Sequence, residues 1–363
     1  MSRVSHGLRN GVTGRRKAAL IKRTICNLGM YQRGAPLSRR LIAIPIWLLA
    51  FVAGAAVTSS LARTDQMPRI PRIGVLAVQD LPNIEGLREG LRELGYVEGK
   101  NFTLDWPQFG GSTKQANSLA AELVHSGVDL IVASGAPAAL GAIQATTTVP
   151  IVLNAGDPIW SKLGVSLSRP GGNATGVSVL PTELYPKRLE YLHRLALRAR
   201  RIAFLMNSAD PMGTLQLEEV QKAARKLGVQ IETFDARNIQ ELDGALQAMR
   251  ASKPDAIFVG GDTIFLRAAP KIADTVRTTK LPAIFPYREY HAPGALMSYG
   301  PGMKDVGRRI AIYVDKILKG AKPADLPIEQ LSKYELIIDL HIARELDIKV
   351  PPELLQRADE VIR

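Results

Sequence analysis

The sequence predicts an α/β protein of two doubly wound parallel-sheet lobes joined by a multi-stranded hinge. Short apolar runs of strand length alternate with amphipathic stretches of helical period, as a parallel sheet covered on both faces requires. The alternation runs from Arg72 to Val179 and begins again near Glu183. Beyond its leader the chain has about 300 residues, too many for one ordinary core and suited to two.

The leader comes first. Residues 1–40 carry ten Lys or Arg and no Asp or Glu, and the apolar run Leu41 to Val57 (LIAIPIWLLAFVAGAAV) follows. Ser60, Leu61 and Ala62 supply the small residues of a cleavage site, so residues 1–62 read as an export signal removed near Ala62. Met30, followed by Arg33, Arg39 and Arg40, would begin a leader of more usual length, which leaves the true start open. The apolar run also lies at the lower edge of a bilayer span, so an uncleaved anchor is the alternative. Of the formal net charge of +13, ten positive charges lie in the leader, which leaves +3 for the body. A body so nearly neutral lacks the basic footprint of a nucleic-acid binder. Cys26 is the single cysteine and also lies in the leader, so the body carries no thiol.

In the body, Arg72 to Val78 (RIGVLAV) reads as a buried strand. Leu87, Leu91 and Leu94 then recur at helical spacing up to Gly95. Asn101 to Trp106 is a second strand, Lys114 to His125 a helix, and Asp129 to Ala133 a third strand. Pro137 to Ala145 is helical, Pro150 to Asn154 is a strand, and Ala174 to Val179 is another after the turn Arg169-Pro170-Gly171-Gly172. The second series has helix Glu183 to Leu195, strand Arg201 to Met206, helix Leu215 to Leu227 closed by Gly228, and strand Gln230 to Phe234. Helix Gln240 to Met249, strand Ala256 to Gly260, helix Ile264 to Arg277 and strand Pro282 to Phe285 complete it. Ala295 to Tyr299 and helix Asp305 to Leu318 read as a return to the first lobe. Ile328 to Leu331, Glu335 to Leu340 and a helix near Glu353 to Ile362 close the chain. The expected division is therefore 63–180 with 295–330 for the first lobe, 181–294 for the second, and 331–363 for a C-terminal cap region.

In open parallel sheets a ligand lies beyond the carboxyl ends of the strands, where loops and helix N-termini face a crevice. Ser134-Gly135-Ala136-Pro137 fits such an anion site, with Ser134 as cap, glycine for close backbone approach and proline in the first helical turn. An ordinary capped turn is the plain alternative. Asp157 follows the next strand at the same rim. The second lobe offers Asn207 after its first strand, Asp262 after Ala256 to Gly260, and Tyr287, Arg288 and Glu289 after Pro282 to Phe285. An acidic residue facing a helix N-terminus across a cleft suits an α-amino acid, with ammonium at one end and carboxylate at the other. The expected contacts are Ser134, Gly135, Ala136, Asp157, Asn207, Asp262, Tyr287 and Glu289, with Trp160, Tyr185, Phe265, Tyr287 and Tyr290 as stacking candidates. Each acidic residue has a plain reading as a helix cap or turn former.

Several strings recur here in a familiar order. They are Gly90 to Gly99 (GLRELGYVEG), Gly135 to Leu140 (GAPAAL), Pro150 to Val152, Gly156-Asp157-Pro158, Arg169 to Gly176 (RPGGNATG), Leu296 to Gly300 (LMSYG) and Ala358 to Ile362 (ADEVI). Together they resemble the ABC-transporter substrate-binding family typified by tryptophan- and tyrosine-binding lipoproteins, over essentially all of Arg69 to Arg363. The resemblance implies a type I periplasmic-binding fold that captures a small solute without chemistry. It also implies delivery to an ABC permease driven by its ATPase, and favours the Ser134 turn, the Asp157 loop and the second-lobe rim as contacts. Two features depart from it. No cysteine ends the apolar run, which fits a free periplasmic protein better than a lipoprotein, and the loop Gln79 to Pro82 leaves the ligand's side chain open.

Catalysis has little support. His125, His193, His291 and His341 are scattered without metal-ligand spacing, no G-x-S-x-G elbow surrounds a serine, and the dinucleotide and Walker fingerprints are missing. No cofactor or metal is expected. A sugar-responsive transcription regulator shares the two-lobed plan behind a basic helix pair, but an apolar run occupies that place here. A tethered ligand-sensing ectodomain is the remaining alternative, and it requires an uncleaved Leu41 to Val57.

Overall fold

Two parallel sheets carry the fold in the computed structural model, which describes residues 69–162, 166–179 and 182–363. The leader expected over residues 1–62, with its apolar run and expected cleavage site, lies outside the described residues.

The first sheet contains β1 (Arg72–Leu76), β2 (Thr103–Asp105), β3 (Leu130–Ser134), β4 (Ile151–Ala155), β5 (Ala174–Ser178) and, from far along the chain, β11 (Glu329–Gln330). Their order is β11-β5-β4-β3-β1-β2, and every pairing is parallel. Every residue of β3 and β4 is buried, the consequence of helices on both faces. The connecting helices are α1 (Pro82–Glu93), α2 (Thr113–His125), α3 (Ala136–Ala145) and α4 (Asp157–Lys162).

The second lobe repeats the plan. It holds α5 (Leu184–Leu195), β6 (Arg201–Met206), α6 (Gly213–Leu227), β7 (Gln230–Asp235), α7 (Leu242–Ala251), β8 (Ala256–Val259), α8 (Thr263–Arg267), α9 (Ala269–Thr279) and β9 (Ala283–Ile284). Its sheet runs β7-β6-β8-β9, again parallel. The single helix expected over Ile264 to Arg277 is two helices. Ala268 ends one and caps the next, because Pro270 has no N–H to continue the ladder and its ring crowds the carbonyl four residues back.

The expected return at Ala295 to Tyr299 is also corrected. β10 (Met297–Gly300) is bridged through Ser298 to Phe285 at the edge of the second sheet, and it pairs antiparallel with β12 (Glu335–Asp339). β13 (Glu360–Ile362) adds in parallel to β12, so the helix expected through Ile362 stops at α12 (Pro352–Arg357). The β-branched pair Val361 and Ile362 favours the strand. With α11 (Leu340–Glu345), these elements share an apolar core with α5 and β6 that includes Leu189, Phe204, Ile338 and Leu354.

The segment that does return is α10 (Met303–Leu318), which lies against α1. Glycines permit this approach: a Cβ on Gly307 would stand 2.0 Å from the Asn83 carbonyl oxygen. Lys304 and Arg308 of α10 pair with Glu85, Glu89 and Glu93 of α1 along the exposed seam. The chain thus changes lobe after β5, after β10 and after β11. The lobes touch, since a Cβ on Gly111 of the first would lie 2.8 Å from Ile264 Cγ1 of the second. Among the described residues no helix is long and apolar enough to cross a membrane.

Candidate functional site

Both sheets reverse strand order beside their first strand, between β1 and β3 in one lobe and between β6 and β8 in the other. At such switch points the loops diverge to opposite faces and leave a crevice at the carboxyl ends. Here the two crevices face each other across a cavity of about 50 Å³. The first lobe lines it with Ser134 to Ala136, Asn154 to Gly156 and Val179. Tyr185, Asp210, Met212, Gln216, Gly261, Asp262, Thr263 and Tyr287 line the second side, and Met303 of α10 completes the lining.

One pole of the cavity donates hydrogen bonds. Gly135 is the N-cap of α3 at φ 89 and ψ 164, a conformation open essentially to glycine alone. Its N–H donates to the Asn154 carbonyl at 3.0 Å. That leaves the first-turn N–H groups of Ala136 and Ala138 at the positive end of a ten-residue helix, while Pro137 has none to leave. The expected cap by Ser134 is corrected, because Ser134 is the last residue of β3 and Gly135 is the N-cap of α3. The Ser134 hydroxyl instead accepts from Asn83 Nδ2 at 2.9 Å, so its own proton is free to donate. Asn83 lies at the α1–α10 contact, which ties the first-lobe pole to α10.

The opposite pole is acidic. Asp262 caps α8, accepting from the Ile264 N–H at 2.6 Å through Oδ1 and from Asn207 Nδ2 at 3.0 Å through Oδ2. Asn207 Oδ1 accepts from the N–H groups of Ala209 and Asp210, so one amide orients both acids. Asp210 accepts from the Met212 N–H at 2.7 Å. Enclosure between the lobes and the neighbouring Asp262 push the Asp210 carboxyl up to about 8, and burial raises Asp262 as well. No Lys or Arg among the described residues bridges to either carboxylate. Gln216 clamps the β8 end, donating to the Gly261 carbonyl at 2.8 Å and accepting from its N–H.

Ser134, Gly135, Ala136, Asp262 and Tyr287 are brought together around the cavity. Asn207 stands behind it as the support of two acids. Asp157 and Glu289 do not line it. Asp157 accepts from the Ser178 hydroxyl at the start of α4. Glu289 Oε1 caps α10, accepting from the N–H groups of Met303 at 2.6 Å and Lys304 at 3.1 Å, and burial raises its carboxyl. Of the aromatic candidates, Tyr185 and Tyr287 line the cavity, whereas Trp160, Phe265 and Tyr290 are core residues. Sequence reasoning missed Asp210, Gln216 and Asn83. For Asp210 the signal was Asn207 three residues earlier, an Asx-turn pattern placed at a strand's carboxyl end.

Paired switch points, a shared cavity and repeated lobe crossings define a two-lobed binding protein of the type I periplasmic class. The chain belongs to the ABC transporter substrate binding protein family, whose pattern matches residues 79–362. It is 25% identical over 301 residues to a tyrosine-binding protein of Clostridioides difficile, covering 82% of this chain and 86% of that one. Among solved structures it is similar to an ABC domain from Streptococcus pneumoniae in complex with L-Trp, at 31% identity and TM-score 0.71, over 80% of this chain and 99% of that one. A leucine binding protein from Thermotoga maritima shares the fold, with 14% identity and TM-score 0.50 over 76% of this chain and 87% of that one. The family is a binding family, not a catalytic one.

Proposed function

We propose that the cavity captures an amino acid, or a closely related amine-bearing carboxylate, and that the exported protein delivers it in the periplasm to an ABC permease powered by its ATPase. One observation carries this reading: a donor pole at Ser134 and Ala136 and an acidic pole at Asp210 and Asp262 line one cavity from different lobes. A zwitterion held between them draws the lobes together, because each charge finds its partner only when the cleft is shut. The similarity to proteins whose names specify tyrosine and L-Trp supports the amino-acid class.

The acids also give a reason for cationic selectivity. In the empty cleft the pair retains a proton, and an arriving ammonium replaces it, whereas a sugar brings no charge to do so. The closed form, with both rims in register, is what a permease would recognise.

A thermal-shift screen of the purified protein against amino acids, dicarboxylates, sugars and nucleosides tests the reading. Selective stabilisation of about 2.7 kcal/mol at 100 times the dissociation constant is expected for an amino acid. Stabilisation by an uncharged sugar alone would contradict it.

A further inference from the structure

Arg188 lies on α5, fully buried, and its Nε, Nη1 and Nη2 all lack a hydrogen-bond partner among the described residues. The guanidinium packs over the ring of Tyr185, 4.7 Å from its centroid, and over Phe258 at 5.1 Å. Tyr185 lines the cavity, as does Tyr287, and the Arg188 charge is felt at both phenols and at Tyr290. The Tyr290 hydroxyl is itself buried and has no hydrogen-bond partner among the described residues. Behind the aromatic wall, therefore, stand a guanidinium and a phenol with donors and nothing to receive them.

A buried charge without a partner strongly destabilises a protein, and aromatic faces compensate only part of its lost hydration. The acids of the cavity do not serve, since none of the Arg188 nitrogens bonds to Asp210 or Asp262. What the group lacks is an oxyanion, for which a planar guanidinium is the fitting receptor. We infer that Tyr185, Tyr287 and Arg188 form an oxyanion subsite at the inner end of the cavity, and that the ligand is an amino acid whose side chain ends in an acidic group. This inference rests on the amino-acid reading of the site. The phenols meet the oxyanion at the wall and Arg188 supplies the charge behind them. Neither the donor pole at α3 nor the acidic pole is used for it, so the ligand is held at three points.

The test compares matched acids and amides by titration calorimetry on the purified protein: L-glutamate against L-glutamine, and 4-carboxyphenylalanine against its 4-carbamoyl analogue. The acid of at least one pair should bind at least about tenfold more tightly than its amide. Arg188→Met should erase that preference, Arg188→Lys should keep part of it, and neither should lower the unliganded melting temperature. A structural arginine would behave otherwise, with a lower melting temperature in Arg188→Met and an unchanged acid preference. Equal or tighter binding of the amides, or of tyrosine and tryptophan, would overturn the subsite while leaving the amino-acid reading in place. Failure of every amino acid to bind would overturn both. Should Arg188→Met not fold, the wild-type pairs and Arg188→Lys decide the matter alone.

Discussion

Asp210→Asn removes half of the acidic pole and leaves its frame standing. Within the protein, Asp210 accepts one side-chain hydrogen bond, from the Met212 N–H to Oδ1 at 2.7 Å, and an asparagine carbonyl can keep it. Asp262→Ala is a poorer probe. It would strip the cap of α8, at about 1 kcal/mol, and orphan Asn207 Nδ2, at about 1–3 kcal/mol. An ammonium–carboxylate hydrogen bond contributes about 1.5–3 kcal/mol, so Asp210→Asn should raise the dissociation constant roughly 10–150-fold. Stability of the empty protein should move the other way. The Asp210 carboxyl rises from 3.8 to about 8 on folding, so between those values the folded state binds more protons than the unfolded one. Its contribution is fully present below the unfolded value, is lost as pH rises, and levels off above the folded one. Asparagine has no such slope, so the variant should gain stability over wild type from pH 5 to pH 8, by on the order of a few kcal/mol. Urea unfolding at several pH values and calorimetric titration of the stabilising ligand measure both effects. Parallel stability curves with an unchanged dissociation constant would show that Asp210 is neither protonated in the empty cleft nor part of the acidic pole.

Gly135→Ala forces a side chain into a glycine conformation and places its Cβ 2.9 Å from Thr263 Cγ2 of the other lobe. Ligand affinity should fall by at least about tenfold, with a smaller ligand-induced contraction in small-angle scattering; an unchanged contraction would separate Gly135 from closure. Glu289→Ala removes the α10 cap, so the protein should lose about 1 kcal/mol of stability while the dissociation constant stays within about threefold of wild type. A tenfold loss of affinity would put Glu289 back among the ligand contacts. Gly307→Ala should destabilise the first lobe by about 1–3 kcal/mol in urea unfolding, because its Cβ cannot share space with the Asn83 carbonyl. Wild-type stability there would mean that α1 and α10 do not need their close approach.

The lobes were legible because β3, β4, β6 and β8 are short apolar runs that only a doubly covered parallel sheet accommodates. The allegiance of Met297–Gly300 was not, since its partners Phe285 and Glu335–Asp339 are set by tertiary pairing and not by its own pattern. Pro270 was visible as a helix break, but the apolar period continues through Ile272 and Val276 and masked it. The cavity lining could be read at Ser134, Gly135, Ala136, Asp262 and Tyr287 because each follows a strand's carboxyl end. Asp157 and Glu289 occupy equivalent places, yet Ser178 and the N-terminus of α10 claim their carboxylates, a demand that arises only once the chain is folded. Arg188 left a fainter signal. It lies one helical turn from both Leu184 and Leu192, on the buried face of its helix, where a cation is out of place.

A crystal structure of the protein with the amino acid that stabilises it most would decide how the cleft is used. The ligand ammonium should lie about 2.7–3.2 Å from carboxylate oxygens of Asp210 or Asp262, and its carboxylate should receive the N–H groups at the start of α3 and the Ser134 hydroxyl. A ligand bound with its ends reversed, or outside the cavity between Ser134 and Asp262, would contradict this arrangement.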